Sequence, residues 1–241
     1  LESIGSVVAR LRRPEGVSSS QALDMLRTRE PASPSGYNYI YRATGKPPVA
    51  TDPPQLARTT TAKTDGTIGV IDGFAADTVG GWPVERLIDK PARVAHGDAV
   101  TGILLRDLAN AYRARPDKLI LLDVMSESAG GGAADVSALV VAFDRLVTAH
   151  VGLVNLSLAG PDQPALRRAI AQSTRSGMII VAAVGNGGPA APPAFPAAYD
   201  GVVGVAAVDT VGKPYMYSGR GPHVDIAALG VEVSATTKSG E

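Results

Sequence analysis

From residue 67 onward this chain of 241 residues alternates short apolar runs with amphipathic stripes, and nothing else constrains its fold as strongly. The apolar runs cover residues 68–71, 119–124, 153–158, 178–184 and 202–208. Each is too short for an ordinary helix and apolar throughout, as expected of a strand buried on both faces. Between them lie stripes of helical period: Val100, Ile103, Leu104, Leu108 and Ala111; then Leu139, Val140, Phe143, Leu146 and Val147; then Leu166, Ile170 and Ala171. Strand–helix alternation of this kind predicts an α/β, doubly wound parallel sheet. In such sheets chemistry collects at the carboxyl ends of the strands.

Composition narrows the function classes. Hydrophobic residues make up 45% and charged residues 19%, the balance of a globular domain. Lys and Arg (23) equal Asp and Glu (23), which argues against binding nucleic acid or an anionic membrane surface. No apolar run approaches the ~18 residues needed to span a bilayer. The absence of cysteine excludes disulfides, thiolate metal sites and a cysteine nucleophile. The chain opens on Leu1 rather than Met, so its start reads as processed or truncated, which is compatible with a signal peptide upstream and does not require one.

Residues 1–42 form a unit of their own. A β-rich run is expected over 4–11, with a turn at Pro14, Glu15 and Gly16. Ser18 to Ser20 offer N-caps to a short helix with Ala22, Met25 and Leu26 on one side, ended by Pro31 and Pro34. A second strand is expected over 37–41. This is too little apolar surface to fold alone, so the unit should either pack on the rest or need residues missing at the start. Residues 43–65, rich in Pro and Thr without apolar period, read as a linker, and residues 66–241 as the main domain.

Three segments of that domain set single polar residues among apolar residues and glycines. They are TIGVIDGF with Asp72, AHGDAVTGI with His96, and VAAVGNGG with Asn186. Asp72 and Asn186 follow apolar strands and His96 opens a helix, so the three converge on one sheet edge. Asp72 reads either as the carboxylate that orients a histidine or as an aspartate capping a turn. His96 reads as a general base or as a helix-start histidine with local bonds. Asn186 reads as an oxyanion donor or as a residue of a left-handed turn. His150 and His223 read as ordinary surface or loop residues, and no His/Asp/Glu spacing suggests a transition-metal site.

Taken together and in this order, the segments resemble the catalytic domain of the subtilisin-like serine proteases, the subtilases. VIDGF resembles the family's Asp motif, HGDAVTGI its His motif and VAAVGN its oxyanion-Asn motif. VNLSLAG (154–160) resembles its substrate-lining strand, and residues 195–209 and 217–233 resemble segments that follow. The resemblance implies a three-layer, subtilisin-like α/β fold and peptide-bond hydrolysis by acyl transfer. His96 would take the nucleophile's proton, Asp72 would orient His96, and Asn186 would help hold the oxyanion. Backbone around Ser128, Gly130 and Gly131, and around Ser157, Leu158, Ala159 and Gly160, would pair with a polypeptide substrate as an added strand. Residues 1–42 resemble an α+β pro-segment that inhibits the enzyme until cut, and so a partner for the groove. The family also implies secretion or a place in the cell envelope, and calcium is frequent in it, although no oxygen cluster here is forced by sequence.

The chain departs from the family pattern at several points. Gly73 follows Asp72 where Ser or Thr is usual, and Asp98 stands where Thr is usual, a carboxylate expected to raise the His96 pKa. Leu229 replaces a proline between Ala228 and Gly230. The Gly-Thr-Ser nucleophile segment, expected soon after Val233, does not occur before Glu241, and there is no Gly-x-Ser-x-Gly elbow. The expectation is therefore a serine endopeptidase in its full-length form, inactive as this chain alone. The alternative is a catalytically inactive peptide-binding domain of the same fold. Two coincidences are set aside. KLILLDVM (118–125) imitates a phospho-acceptor strand around Asp123 but lacks its acidic and lysine partners. GNGGPA (185–190) imitates a dinucleotide fingerprint, but Pro189, Pro192 and Pro193 prevent the helix that fingerprint needs.

Overall fold

The structure, a computed structural model, describes residues 3–5, 7–44, 66–112, 114–127 and 132–235. Along the chain run α1 (Ser19–Arg29), β1 (Ile40–Ala43), β2 (Thr67–Asp72), β3 (Thr78–Val79), β4 (Trp82–Arg86) and α2 (His96–Tyr112). There follow β5 (Lys118–Asp123), β6 (Met125–Ser126), β7 (Ala133–Asp135), α3 (Val136–Thr148), β8 (Leu153–Leu156) and β9 (Leu158–Ala159). The last elements are α4 (Pro164–Arg175), β10 (Ile179–Ala183), β11 (Val202–Val208) and β12 (Ile226–Leu229).

Among the described residues eight strands form one sheet in the order β12-β11-β10-β8-β2-β5-β4-β3. Every neighbouring pair is parallel except β3 with β4. The five expected apolar runs are its centre, which establishes the α/β class. The run 153–158 is divided: β8 stays in the sheet, and β9 leaves it after Ser157.

The continuous apolar character of the central strands follows from two cores. On one face Ile68 and Val70 of β2, with Leu119 and Leu121 of β5, meet Leu108 of α2. On the other, Ile71 and Leu122 meet Leu139, Phe143 and Leu146 of α3 and Leu166 and Ile170 of α4. Side chains alternate between the faces with a period of two, so a strand covered on both sides needs apolar residues at every position. Asp135 caps α3 by accepting from the Ala138 amide, and Gln163 caps α4 with Pro164 at its first position. Toward β12 the α2 face is open: Ile179 and Ile226, which the parallel registers set on that face, are both about half-exposed.

The front of the chain differs from expectation in part. Residues 7–11 form no strand; they are exposed and unpaired as a ladder, because no neighbouring strand offers them an edge. Ile4 is buried in the α3-side core, and Ser3 bonds Asp144 and Thr148. The turn at Pro14–Val17 forms, and Ser18 caps α1 in a reciprocal capping box with Gln21. The second strand begins at Ile40, later than the expected 37–41. Of the expected linker, Ala43 ends β1, and residues 45–65 lie outside the described residues.

A small antiparallel sheet, β6-β7-β1-β9, stands at the carboxyl edge of the large one. Leu146 is fully buried where α3 crosses β2, and Gly69 leaves the space its methyls fill. Leu146→Ala should cost about 2–5 kcal/mol in urea-unfolding free energy, from lost burial and the residual cavity. A loss under about 1 kcal/mol would show that this face is not the core.

Candidate active site

Asp72 is the last residue of β2 and is fully buried; His96 is the first residue of α2. The imidazole Nδ1 lies 2.9 Å from each carboxylate oxygen of Asp72. Their approach depends on two glycines. The Gly97 amide donates to the Gly73 carbonyl at 2.8 Å, and a methyl on Gly97 would stand 2.6 Å from that oxygen. A methyl on Gly73 would stand 2.6 Å from Met125 Sδ, which accounts for the glycine directly after Asp72. The Gly73 amide donates to Asp72 Oδ1 at 2.7 Å and fixes the carboxylate plane.

The loop after Asp72 is held by charges that the sequence did not single out. Arg86 donates from Nη1 to the Phe74 carbonyl and to the buried Asp123, and from Nη2 to the Ala76 carbonyl and Asp77. Arg93 donates to the Ala75 carbonyl and Asp77. Arg86 and then Arg93 hold the Asp77 carboxyl below its ordinary range. Asp123 accepts from the Met125 amide and pairs with Arg86, and burial still pushes its carboxyl up. Asp98 accepts from the Ala75 and Ala76 amides at 3.2 Å each. Burial raises the Asp98 carboxyl against those two bonds. The expected influence of Asp98 on His96 does not appear, since its carboxylate is turned to the loop amides and away from the imidazole. Arg86 lies ten residues from His96 with no motif around it, so no local signal could have found it.

Next to His96 the chain supplies its own extended segment. β1 lies between β7 and β9, antiparallel to both, with Tyr41 opposite Ala134, and Arg42 opposite both Ala133 and Ala159. Ala43 faces Leu158, and the Thr44 amide donates to the Ser157 carbonyl at 2.9 Å. The Thr44 hydroxyl donates to the same carbonyl at 3.0 Å. Gly160 lies under the Tyr41 ring. Ser157, Leu158, Ala159 and Gly160 thus line one side of an occupied groove. Ser128, Gly130 and Gly131 lie outside the described residues.

The Thr44 carbonyl oxygen stands 3.0 Å from His96 Nε2. Both ring nitrogens therefore face oxygen acceptors, which suits the doubly protonated ring. Burial works against that charge, but the bond and charge of Asp72 and the Thr44 carbonyl outweigh it, so the His96 pKa lies above its ordinary 6.5. Asn186 is exposed in the loop after β10, between Gly185 and Gly188, both at positive φ, and its side chain makes no hydrogen bond among the described residues. The backbone bonds Gly188 N–H to Tyr217 O and Gly219 N–H to Gly185 O hold that loop. The ends of β2, β8 and β10 share one edge, so Asp72, Ser157 and Asn186 stand on the same side of the sheet. Among the described residues no three acidic or histidine side chains gather as a metal site. Nor is any helix among them long and apolar enough to cross a membrane.

A parallel α/β sheet with a buried Asp–His pair at its carboxyl edge, beside a groove that accepts an added strand, defines a subtilisin-like domain. The chain belongs to the subtilase family (peptidase S8), whose profile matches residues 72–240. It is 30% identical to Subtilisin DY of Bacillus licheniformis over 150 residues, 60% of this chain and 54% of that protein. It is 31% identical to the minor extracellular protease Epr of Bacillus subtilis (strain 168) over 106 residues, 44% of this chain and 16% of that protein. The chain thus spans about half the length of Subtilisin DY and of the Bacillus pumilus subtilisin. Among solved structures, the prenylagaramide maturation protease PagA is similar with a TM-score of 0.61 at 23% identity, over 76% of this chain and 69% of that one. A cold adapted subtilisin-like serine proteinase gives 0.59 at 24%, over 76% and 71%.

Two outcomes follow from the pair and its glycines. Gly97→Ala should destabilise the chain by about 1–3 kcal/mol in chemical unfolding, because the methyl meets backbone and the Phe74 ring. A raised His96 pKa stabilises the fold most fully below pH 6.5, and that contribution is lost as pH rises through the higher folded value. The unfolding free-energy gap between wild type and His96→Ala should accordingly shrink from acid to alkaline pH. A gap that widens with pH would mean the histidine is not held in its charged form.

Proposed function

We propose that this chain belongs to a serine endopeptidase with an Asp–His–Ser triad whose serine follows Glu241. The observation that carries this reading is His96 held between the Asp72 carboxylate and the Thr44 carbonyl of a strand seated in the groove. Once the Thr44 carbonyl has left and Nε2 has given up its proton, His96 can accept the serine proton there while Asp72 stabilises the imidazolium through Nδ1. The serine oxygen then bonds the substrate carbonyl carbon, and the oxygen that gains charge is met by the Asn186 amide. Collapse of that adduct breaks the C–N bond, with His96 returning the proton to the leaving amine. Water repeats the sequence on the acyl-enzyme. The open α2 face near Ile179 and Ile226 offers apolar surface for the segment that brings the serine.

The segment ending in Thr44 behaves in this reading as a pro-segment. It fills the groove with ladder hydrogen bonds and meets His96 with a carbonyl, so it blocks other peptides until it is cut and leaves. The name of Epr, a minor extracellular protease, favours action outside the cytoplasm. No step of this reading depends on calcium.

In the full-length protein, Asp72→Asn should lower peptidase kcat by about 10⁴-fold through the wrong imidazole tautomer. His96→Ala should abolish the triad's share of the rate. Asn186→Ala should cost about 10²–10³-fold, the scale known for the oxyanion-hole asparagine of subtilisin itself. Substantial turnover by a folded His96→Ala protein, followed with a fluorogenic peptide, would rule out this base.

A further inference from the structure

The segment from Gly73 to Ala76 belongs to no helix or strand, yet every backbone donor and acceptor in it is bonded. The Gly73 amide donates to Asp72, and its carbonyl accepts from Gly97. The Phe74 amide bonds Asp123, and its carbonyl accepts from Arg86. The Ala75 and Ala76 amides both donate to Asp98 Oδ2. Their carbonyls accept from Arg93 and Arg86, each at 3.0 Å. Two of these side chains flank the other half of the pair: Arg93 lies three residues before His96 and Asp98 two after it. The turn that carries His96 therefore grips, from both sides, the loop that follows Asp72. Arg93 is held in the left-handed conformation, at φ 51°, which residues other than glycine rarely adopt. Backbone strain of that kind persists where surrounding contacts over-determine it, and it gathers at functional sites. Here the contacts are the Ala75 carbonyl and Asp77, and Asp77 is met from its other side by Arg86 at 2.7 Å. Asp98 is only 7% exposed, so its two bonds are little screened by water.

We propose that Arg93 and Asp98 are positioning residues, a clasp from either side of His96 onto the loop after Asp72 that holds the imidazole Nδ1 at hydrogen-bonding distance from both carboxylate oxygens. Neither touches the reacting atoms, and both act through the Asp72 loop. The proposal rests on reading His96 as the base. The bond between Gly97 and Gly73 is a single pivot, about which α2 and the end of β2 are free to turn. Asp98 on the Ala75 and Ala76 amides and Arg93 on the Ala75 carbonyl add fixed points on either side of that pivot. Together they set the angle of the ring as well as its distance, and proton transfer depends on both. This accounts for an arginine at a left-handed position where glycine would serve the turn with less strain.

The test uses Arg93→Gly, which suits the left-handed turn and removes only the clasp, together with Asp98→Ala. Arg167→Ala is the control, since Arg167 pairs with Asp162 at the surface of α4. In proton NMR of the full chain, the His96 Nδ1–H resonance, identified by its loss in His96→Ala, reports the bond to Asp72 directly. Arg93→Gly and Asp98→Ala should each move that resonance upfield or broaden it through faster exchange with water, and the control should leave it in place. An unchanged resonance in folded Arg93→Gly would overturn the proposal. If Asp98→Ala does not fold, Arg93→Gly decides alone. A second readout is turnover of a fluorogenic peptide by the full-length protein. Arg93→Gly should lower kcat about tenfold and leave KM within about twofold, the pattern of a misplaced base. A loss confined to KM, or no loss, would overturn the clasp. Absence of turnover in the wild type would count against the peptidase reading alone, and the resonance would still decide the positioning role.

Discussion

The site depends on a joint of backbone with backbone, where the Gly97 amide donates to the Gly73 carbonyl at 2.8 Å and ties the first turn of α2 to the end of β2. No side chain fits between them. From that one bond follow the register of His96 against Asp72, the position of Asp98 over the 75–76 amides, and the entry angle of α2 onto the sheet. A larger residue at either position would open the joint and part the pair by more than hydrogen-bonding distance allows.

That joint concentrates negative charge. Asp72, Asp98 and Asp123 are all buried at one sheet edge, and Arg86 is the cation set among them. An arrangement of this kind is costly to desolvate and is held only when its oxygens are hydrogen-bonded. Most of them are: backbone amides of Gly73, Ala75, Ala76 and Met125 supply the donors, with one Asp98 oxygen left bare. The loop from Gly73 to Asp77 is therefore both the hinge of the site and the screen for its charge.

The groove is built on different physics. β7 and β9 leave a gap one strand wide, and an antiparallel segment closes it with ladder bonds that read no side chain. Main-chain pairing holds residues 40–43 between β7 and β9, and Tyr41, the buried side chain of β1, fixes their register through its bond to the Pro161 carbonyl.

Much of the α/β order was legible because burial on both faces writes an unbroken apolar run, and helices on a sheet write a 3.6-residue stripe. The same runs made Asp72, His96 and Asn186 conspicuous as lone polar residues at element ends. The short front strand was misplaced because residues 7–11 carry β propensity without a partner edge, and pairing, not propensity, decides a strand. Arg86, Asp123 and the meeting of Thr44 with His96 left no local trace. The amino-acid sequence by itself determined which segments become strands and helices and which polar groups sit at their ends, since those depend on neighbours a few residues apart. Only the tertiary structure decided which ends meet, that Arg86 is spent on holding a loop, and that residues 40–44 lie in the groove. Those outcomes depend on contacts between residues up to 126 positions apart, for which a linear pattern carries no signal.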